Sequence, residues 1–173
     1  MYKAFGKNLK CRDYQFEIGK TYESEEGVEF EFEFCVDMQE CFYYHDINSR
    51  ICEVKAEDIF KREQGKSICR KITIIRELTK QEIMDRITNS LLAYLWASDI
   101  GNKDVMIDRI TDSEYAYQWA KYIGNREVMI DRITESKYAY LWARYIGNHE
   151  VMIDRITYEY QREEIEEIIR YNP

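Results

Sequence analysis

The chain has 173 residues, a formal net charge of −8 at pH 7 and a single proline. Its length fits one domain or a small domain joined to repeats, and its many aromatic residues exclude disorder over most of the chain. Because neutralising phosphates requires clustered Lys and Arg, an acidic chain without a basic run disfavours nucleic acid as the main partner. No apolar run approaches the ~20 residues of a membrane span or forms a signal-peptide core, so we expect a cytoplasmic protein.

Residues 1–78 are predicted to form a mainly-β domain of the α+β class. Residues 29–34 alternate Glu with Phe, the period-2 pattern of a strand that buries one face, and residues 70–76 form a β-branched run typical of a second strand. Weaker patterns predict strands at 2–5, 14–17, 21–23 and 50–54, and short helices at 38–44 and 56–62.

Residues 79–173 are predicted to be helical. Thr-Lys-Gln-Glu at 79–82 is a capping box that starts a helix, so we place the domain boundary between Leu78 and Thr79. The whole chain is therefore predicted to be a small strand domain followed by a helical region.

One 23-residue signature occurs three times, at 87–109, 110–132 and 133–155. It is Ile-Thr-x-Ser-x-x-Ala-Tyr-x-Trp-Ala-x-x-Ile-Gly-Asn-x-x-Val-Met-Ile-Asp-Arg. A fixed period indicates stacked repeats, in which no unit can bury its apolar face alone. We therefore expect a short α-solenoid, covered at its end by a polar-backed capping helix at 158–171.

Each repeat is predicted to contain two short helices. In the middle copy, Asp112 or Ser113 can cap the first helix, Gly124 suits its end, and Asn125 can cap the second. Trp119 falls on the apolar face of the first helix and is expected to be buried.

Three segments of the first domain resemble a family of small phage and prophage proteins. They are Lys3-Ala4-Phe5, then Leu-Lys-Cys-Arg-Asp-Tyr-Gln-Phe-Glu-Ile-Gly-Lys-Thr-Tyr at 9–22, and Lys-Ile-Thr-Ile-Ile-Arg-Glu-Leu-Thr at 71–79. Members open with a Phe…Leu-x-Cys…Gln-Phe/Tyr…Gly-x-x-Tyr pattern, and many carry repeats behind it. They also show a Gly-Phe-His-x-Cys segment, whose Gly and His are missing from residues 40–44, so no role is carried over there. The resemblance implies a phage or prophage setting and no particular reaction.

The cysteines provide two chemical alternatives. All five precede the repeats, and an odd number without a secretory signal predicts free thiols in a reducing compartment. Cys35, Cys41, His45 and Cys52 could form a Cys3His zinc site, although the C-x2-C pair usual for structural zinc is absent. A thiol enzyme could use Cys41 as nucleophile and His45 as base, with Asp46 orienting the imidazole. We favour buried thiols, no cofactor and no catalysis.

An aspartate recurs once per repeat beside an arginine, as Asp108, Asp131 and Asp154. Three carboxylates at equal spacing could bind cations, but we favour a ladder of ion pairs between neighbouring copies.

Positions that differ between copies are expected to face outward, because the fixed positions build the fold. They supply Tyr115, Lys121, Tyr122, Tyr138, Arg144 and Tyr145, and Tyr and Arg are enriched where proteins recognise one another. The alternative is that Tyr122 and Tyr145 pack over repeat junctions. A second candidate surface is acidic and includes Glu29, Glu31 and Glu33.

The sequence thus predicts a non-catalytic protein-binding module of phage or prophage type, acting in the host cytoplasm on a host protein. Its acidic surface suggests an anti-CRISPR-like inhibitor that occupies the basic channel of a host defence or nucleic-acid-processing enzyme. The alternatives are a repeat protein that stacks single-stranded nucleic acid on its tyrosines, and the zinc or thiol chemistry of the first domain. Neither a membrane nor nucleic acid is the expected partner.

Overall fold

The computed structural model describes residues 1–11, 14–24 and 31–171. The chain divides into two compact units, Met1–Thr88 and Asn89–Pro173. The first unit is built on an antiparallel sheet and the second on helices, which confirms the predicted α+β class.

The sheet of the first unit contains five described strands. These are β1 (Tyr2–Phe5), β4 (Thr21–Glu23), β5 (Phe32–Phe34), β6 (Arg50–Glu63) and β7 (Lys66–Glu77), while β2 (Lys10–Cys11) and β3 (Tyr14–Gln15) form a separate ladder. The order is β1-β6-β7-β4, and β5 also pairs with β7, nearer to the start of that strand.

The long hairpin of β6 and β7 forms the centre of the sheet. Its turn contains Gly65, whose φ of +81° lies in the region that glycine adopts without strain. The predicted helix at 56–62 is wrong, because these residues belong to β6 and Ala56 faces Ile72 across the ladder. Local Glu, Lys and Ala favour a helix, but pairing with the β-branched strand β7 outweighs that preference.

One face of the sheet carries the apolar core of the first unit. Phe32 and Phe34 are buried in it, and Phe16 lies with its ring centroid 5.2 Å from that of Phe5 and 6.1 Å from that of Phe32. The phenylalanine face predicted for residues 29–34 is therefore internal where it is described. Residues 29 and 30 lie outside the described residues.

Helix α1 (Lys80–Arg86) begins at the predicted capping box. The Glu82 amide donates to the Thr79 hydroxyl at 3.2 Å, and the Thr79 amide donates to the Glu82 carboxylate at 2.9 Å. Two amide donors at the start of the helix, those of Thr79 and Glu82, are thereby satisfied.

The first unit extends past the predicted boundary at Leu78/Thr79 and includes α1. Arg76 at the end of β7 pairs with Glu82 in α1 at 2.8 Å. The Thr88 amide donates at 2.8 Å to the side chain of Gln39, which lies in a 3₁₀ helix, Gln39–Tyr43, at the predicted position. These bonds attach α1 and the segment after it to the sheet, so the division falls after Thr88.

Each copy of the signature forms a ten-residue helix followed by a helix of four or five residues. The long helices are α2 (Ser90–Asp99), α4 (Ser113–Tyr122) and α6 (Ser136–Tyr145). The short ones are α3 (Lys103–Met106), α5 (Arg126–Met129) and α7 (His149–Ile153), and 3₁₀ turns Ile107–Arg109 and Ile130–Arg132 follow the first two.

The turns of the middle copy match the prediction in part. The Asp112 carboxylate caps α4 by accepting from the Tyr115 amide at 3.1 Å, and Gly124 follows the helix with a φ of +120°. Asn125 stands at the predicted N-cap of α5, but its side chain makes no capping bond. Asn125 instead has a φ of 51°, a left-handed conformation that asparagine tolerates better than most residues.

Trp96, Trp119 and Trp142 are buried at equivalent positions of the long helices. Small neighbours, such as Ala116 and Ala120 beside Trp119, are buried with them. Within the described residues the three indole Nε1–H groups have no hydrogen-bond partner, a loss of about 1–3 kcal/mol each. Burial of so large a ring contributes about 4–6 kcal/mol by area, so packing outweighs the missing bond.

The same hydrogen bond joins successive copies at each of three junctions. The amides of Thr111, Thr134 and Thr157 donate to the hydroxyls of Ser90, Ser113 and Ser136 at 2.9, 2.9 and 2.8 Å. The serine of one copy therefore binds the backbone of the next, which gives the Ser and Thr of the signature a structural role.

The repeated arginines bind mainly backbone. Arg132 donates to the carbonyls of Ile107 and Ile110, at 2.8 Å for the latter, and Arg155 makes the equivalent contacts one copy later. Asp108 lies 3.9 Å from Arg132 and is almost fully exposed. The predicted ladder of ion pairs is thus present only as weak, solvated contacts.

Helix α8 (Glu159–Tyr171) packs on α6 and α7. Ile165 is buried, and the Tyr140 hydroxyl donates to the Glu164 carboxylate at 2.7 Å. Every helix in the described residues is too short or too polar to traverse a lipid bilayer.

We predict that Trp119→Ala lowers the free energy of unfolding by about 3–5 kcal/mol, because it removes a large and fully buried ring. Urea titration followed by far-ultraviolet circular dichroism measures this change. Tyr122→Ala, on the exposed side of the same helix, is the matched control and should leave the midpoint unchanged. Equal effects of the two substitutions would contradict the burial of Trp119.

We also predict that Arg132→Met destabilises the protein and Asp108→Asn does not. The first substitution removes the Arg132 donor from two partly buried carbonyls, of which that of Ile107 keeps only the Ile110 amide, at a cost of about 1–3 kcal/mol, whereas the second removes only a solvated charge. Thermal unfolding of the two variants at the same pH distinguishes the cases. A comparable loss of stability for Asp108→Asn would contradict this expectation and would indicate that the ion pairs are the main contact between copies.

Candidate functional site

The residues predicted to face a partner are only partly exposed. Lys121, Tyr122, Arg144 and Tyr145 are exposed at the ends of α4 and α6. We call these four residues the tyrosine–cation ridge.

The prediction that Tyr138 faces outward is wrong. Tyr138 is only 7% exposed, Tyr115 is half-buried, and the equivalent Leu92 of the first copy is buried. The Tyr138 ring lies 6.3 Å from that of Tyr117 in the preceding copy, so this position fills the space between successive long helices. Burial, followed by a hydrogen bond with the Glu114 carboxylate, raises the pKa of Tyr138 to about 12. The change from Leu92 to Tyr115 and Tyr138 at this position therefore reflects different packing between successive long helices.

The ridge is organised around Lys121. Its ammonium lies 5.3 Å from the ring centroid of Tyr122 and 5.2 Å from that of Tyr145, which belongs to the next copy. It also donates to the Tyr117 hydroxyl at 3.2 Å, a bond that raises the pKa of Lys121. Tyr122 remains 65% exposed and Tyr145 57% exposed, so both rings present apolar area and a hydroxyl to solvent.

The two cations of the ridge differ in their charge partners. Arg144 pairs with the Glu164 carboxylate of α8 at 3.0 Å and donates to the Tyr140 hydroxyl. Lys121 has no carboxylate within ion-pair distance in the part of the chain that the structure describes. The ridge therefore has one neutralised cation and one, Lys121, that is held between tyrosine rings.

The acidic surface of the first unit is largely neutralised. Glu29 lies outside the described residues, Glu31 is exposed, and Glu33 is half-buried and pairs with Lys66 at 3.1 Å. Other carboxylates of the sheet are paired as well. These pairs are Glu23–Lys71, Glu53–Arg76, Glu57–Lys55, Asp58–Arg70, Glu63–Lys61 and Glu77–Arg50.

The first unit also contains a cleft of about 360 Å³. Its walls include the side chains of Lys3, Cys35, Cys41 and His45, and Cys11 lies at the same cleft. The structure thus places Cys41 and His45 at one cleft. It adds Cys35 and Lys3, which the thiol alternative did not include.

Neither chemical alternative is assembled as predicted. Cys52 lies in the apolar core, and no group of three or more His, Cys, Asp or Glu in the described ranges could hold a metal ion, so the zinc set is not formed. Asp46 does not orient His45, because its carboxylate accepts from the amide of Asn48 at 2.8 Å and from its side chain at 3.1 Å. That bond stabilises a turn and lowers the pKa of Asp46.

Residues 1–86 match the family model for the domain of unknown function DUF7666. No curated protein and no solved structure is significantly similar to this chain. The matched segment ends at Arg86, the last residue of α1, and the chain is thus similar to that domain over its first unit alone.

Proposed function

We propose that the chain is a non-catalytic protein-binding module that binds a partner protein at the tyrosine–cation ridge. The observation that carries this proposal is the pair of exposed tyrosine rings, Tyr122 and Tyr145, gathered around Lys121 from two successive copies. Exposed aromatic rings leave apolar area in water, and tyrosine is enriched at the energetic centres of protein interfaces.

The repeats support the ridge in this proposal by stacking as a short α-solenoid covered by α8. The equal spacing of the junction bonds, at Ser90, Ser113 and Ser136, favours such a stack. In a stack, equivalent residues of successive copies line one surface, and solenoid proteins bind partners along such surfaces.

The charge of the ridge suggests what the partner supplies. Because Lys121 is exposed and lacks a carboxylate partner in the described part of the chain, a carboxylate from the partner would complete an ion pair between the two tyrosines. We therefore propose that the partner presents an acidic segment to the ridge. The resemblance to phage proteins makes a bacterial host protein the proposed source.

The inhibitor of a basic enzyme is a second candidate, and α8 is the feature that favours it. Glu159, Glu163, Glu166 and Glu167 are exposed on this helix. The sheet contributes less negative electrostatic potential than the sequence suggested, because most of its described carboxylates form ion pairs with Lys or Arg. In this form of the proposal, α8 would enter a basic channel, and binding would weaken steeply with salt.

We predict that Tyr122→Ala/Tyr145→Ala prevents capture of the partner from bacterial lysate, because it removes both rings without touching the buried core. The recovered protein is then titrated against each variant, and the double substitution should weaken its binding at least about tenfold. Tyr158→Ala/Tyr160→Ala removes two equally exposed tyrosines elsewhere and is the matched control.

Further variants test the charge and the rival functions. Lys121→Arg should retain binding and Lys121→Met should weaken it, since only the first keeps the cation. Unchanged binding by the double tyrosine variant would refute the ridge. Loss of binding only in Glu163→Gln/Glu166→Gln/Glu167→Gln would favour the inhibitor, and retention of a single-stranded oligonucleotide would favour nucleic-acid binding.

A further inference from the structure

The cleft of the first unit separates the cysteines into two groups. Cys11, Cys35 and Cys41 lie at the cleft, whereas Cys52 and Cys69 are sealed in the core of the sheet. Cys11 is half-buried, and Cys35 and Cys41 are buried in the wall of the cleft, whereas neither Cys52 nor Cys69 lines it.

Cys35 and Cys41 both line this cleft. Cys35 is held by a backbone bridge to Tyr2, with bonds of 2.8 and 2.7 Å in the two directions, and Cys41 lies in the 3₁₀ helix Gln39–Tyr43. The two thiols thus reach one cleft from separate backbone elements, Cys35 beside β1 and Cys41 in the 3₁₀ helix. A disulfide between them requires an S–S distance of about 2.05 Å.

Lys3 places a positive charge beside these thiols. Its ammonium donates to the Glu33 carbonyl at 2.7 Å and lies 5.6 Å from the Phe5 ring centroid and 5.8 Å from that of Phe16. Lys3 is buried, so its charge is poorly screened by water. A cation in such a position favours a thiolate over a thiol.

We propose that Cys35 and Cys41 form a reversible dithiol–disulfide site that reacts with small hydroperoxides entering the cleft, with Cys35 as the attacking sulfur and Cys41 as the resolving one. This activity is independent of the tyrosine–cation ridge, which lies in the other unit.

The reaction proceeds in two balanced steps. The Cys35 thiolate attacks the hydroperoxide, the O–O bond breaks, a sulfenic acid forms on Cys35, and the leaving alkoxide or hydroxide takes up a proton. The Cys41 sulfur then displaces the hydroxyl of the sulfenic acid, and the proton of Cys41 leaves with it as water. Two thiols are oxidised by two electrons in total, and the hydroperoxide is reduced to an alcohol or water plus water.

The roles of the two sulfurs follow from their surroundings. A hydrogen bond from the Cys41 thiol holds the pKa of Cys35 below its usual range, with a smaller contribution from the Lys3 charge, although burial and the Glu40 and Glu33 carboxylates oppose it. The same bond, with burial, raises the pKa of Cys41, which stays protonated. Burial, followed by the Lys3 charge, lowers the pKa of His45, which also lies at the cleft.

The test uses the reduced full-length protein with limiting hydrogen peroxide. Thiols that remain are alkylated, and mass spectrometry of the intact protein and its peptides locates the product. We expect a Cys35–Cys41 crosslink, a mass lower by two hydrogen atoms and reversal by dithiothreitol, while Cys52 and Cys69 remain alkylatable only after unfolding.

Three variants separate the roles of the sulfurs. Cys41→Ser keeps a hydroxyl donor but cannot form the disulfide. Cys35 should therefore be oxidised at close to the wild-type rate, and dimedone should trap its sulfenic acid. Cys41→Ala removes the donor as well, and the pH at which Cys35 reacts at half its maximal rate should move upward. Cys11→Ser should behave as the wild type.

A crosslink to Cys11 would overturn the proposal, as would direct over-oxidation of Cys35 without a disulfide. No reaction of either thiol before unfolding would also overturn it. The wild-type measurement decides these outcomes without any variant, so the proposal does not depend on the variants folding.

Discussion

The hydrogen bond from a threonine amide to the serine hydroxyl of the preceding copy is the constraint on which the second unit depends. It occurs at 2.8–2.9 Å at all three junctions. A bond from side chain to backbone fixes distance and direction together, whereas apolar packing alone tolerates sliding. The arginine-to-carbonyl bonds one step away act on the same junctions, and the buried tryptophans supply the apolar area that these polar contacts orient.

That constraint determines the surface of the helices. Because each long helix is held at the same offset from the next, the end of α4 lies beside the end of α6, and Lys121 of one copy reaches Tyr145 of another. A shift between copies would separate this cation from that ring. The proposed binding surface is therefore a property of two adjacent copies together and belongs to neither helix alone.

Sequence predicted those structural features that depend on residues close together in the chain, and it missed features that depend on distant ones. The capping box at Thr79 and the period of the signature depend on neighbouring residues, so they could be found without coordinates. The strand at 56–62 could not, because pairing with β7 determines it. Tyr138 was predicted to face outward because its position varies between copies. Such a position can still be buried when a side chain of the neighbouring copy packs against it, as Tyr117 does here.

The residues at the cleft show the same limit of prediction from sequence. Cys41 and His45 are close in sequence and both line the cleft, whereas Asp46 binds Asn48 instead. Lys3 lies more than thirty residues from Cys35, and the bridge between Tyr2 and Cys35, with the bond from Lys3 to the Glu33 carbonyl, joins the two segments. No pattern in the sequence marks a contact of that kind, since it arises from the pairing of distant backbone segments.

Hydrogen exchange at the amides of Thr111, Thr134 and Thr157 tests the central claim most directly. These residues lie outside the helices, so only the bond to serine protects their amides. The account predicts that all three amides exchange slowly, with protection factors that approach those of the long helices. Replacing Ser113 by Ala should lower the protection factor of Thr134, whose amide donates to that serine. Exchange at the rate of an unstructured peptide would contradict it, because the copies would then have no fixed register.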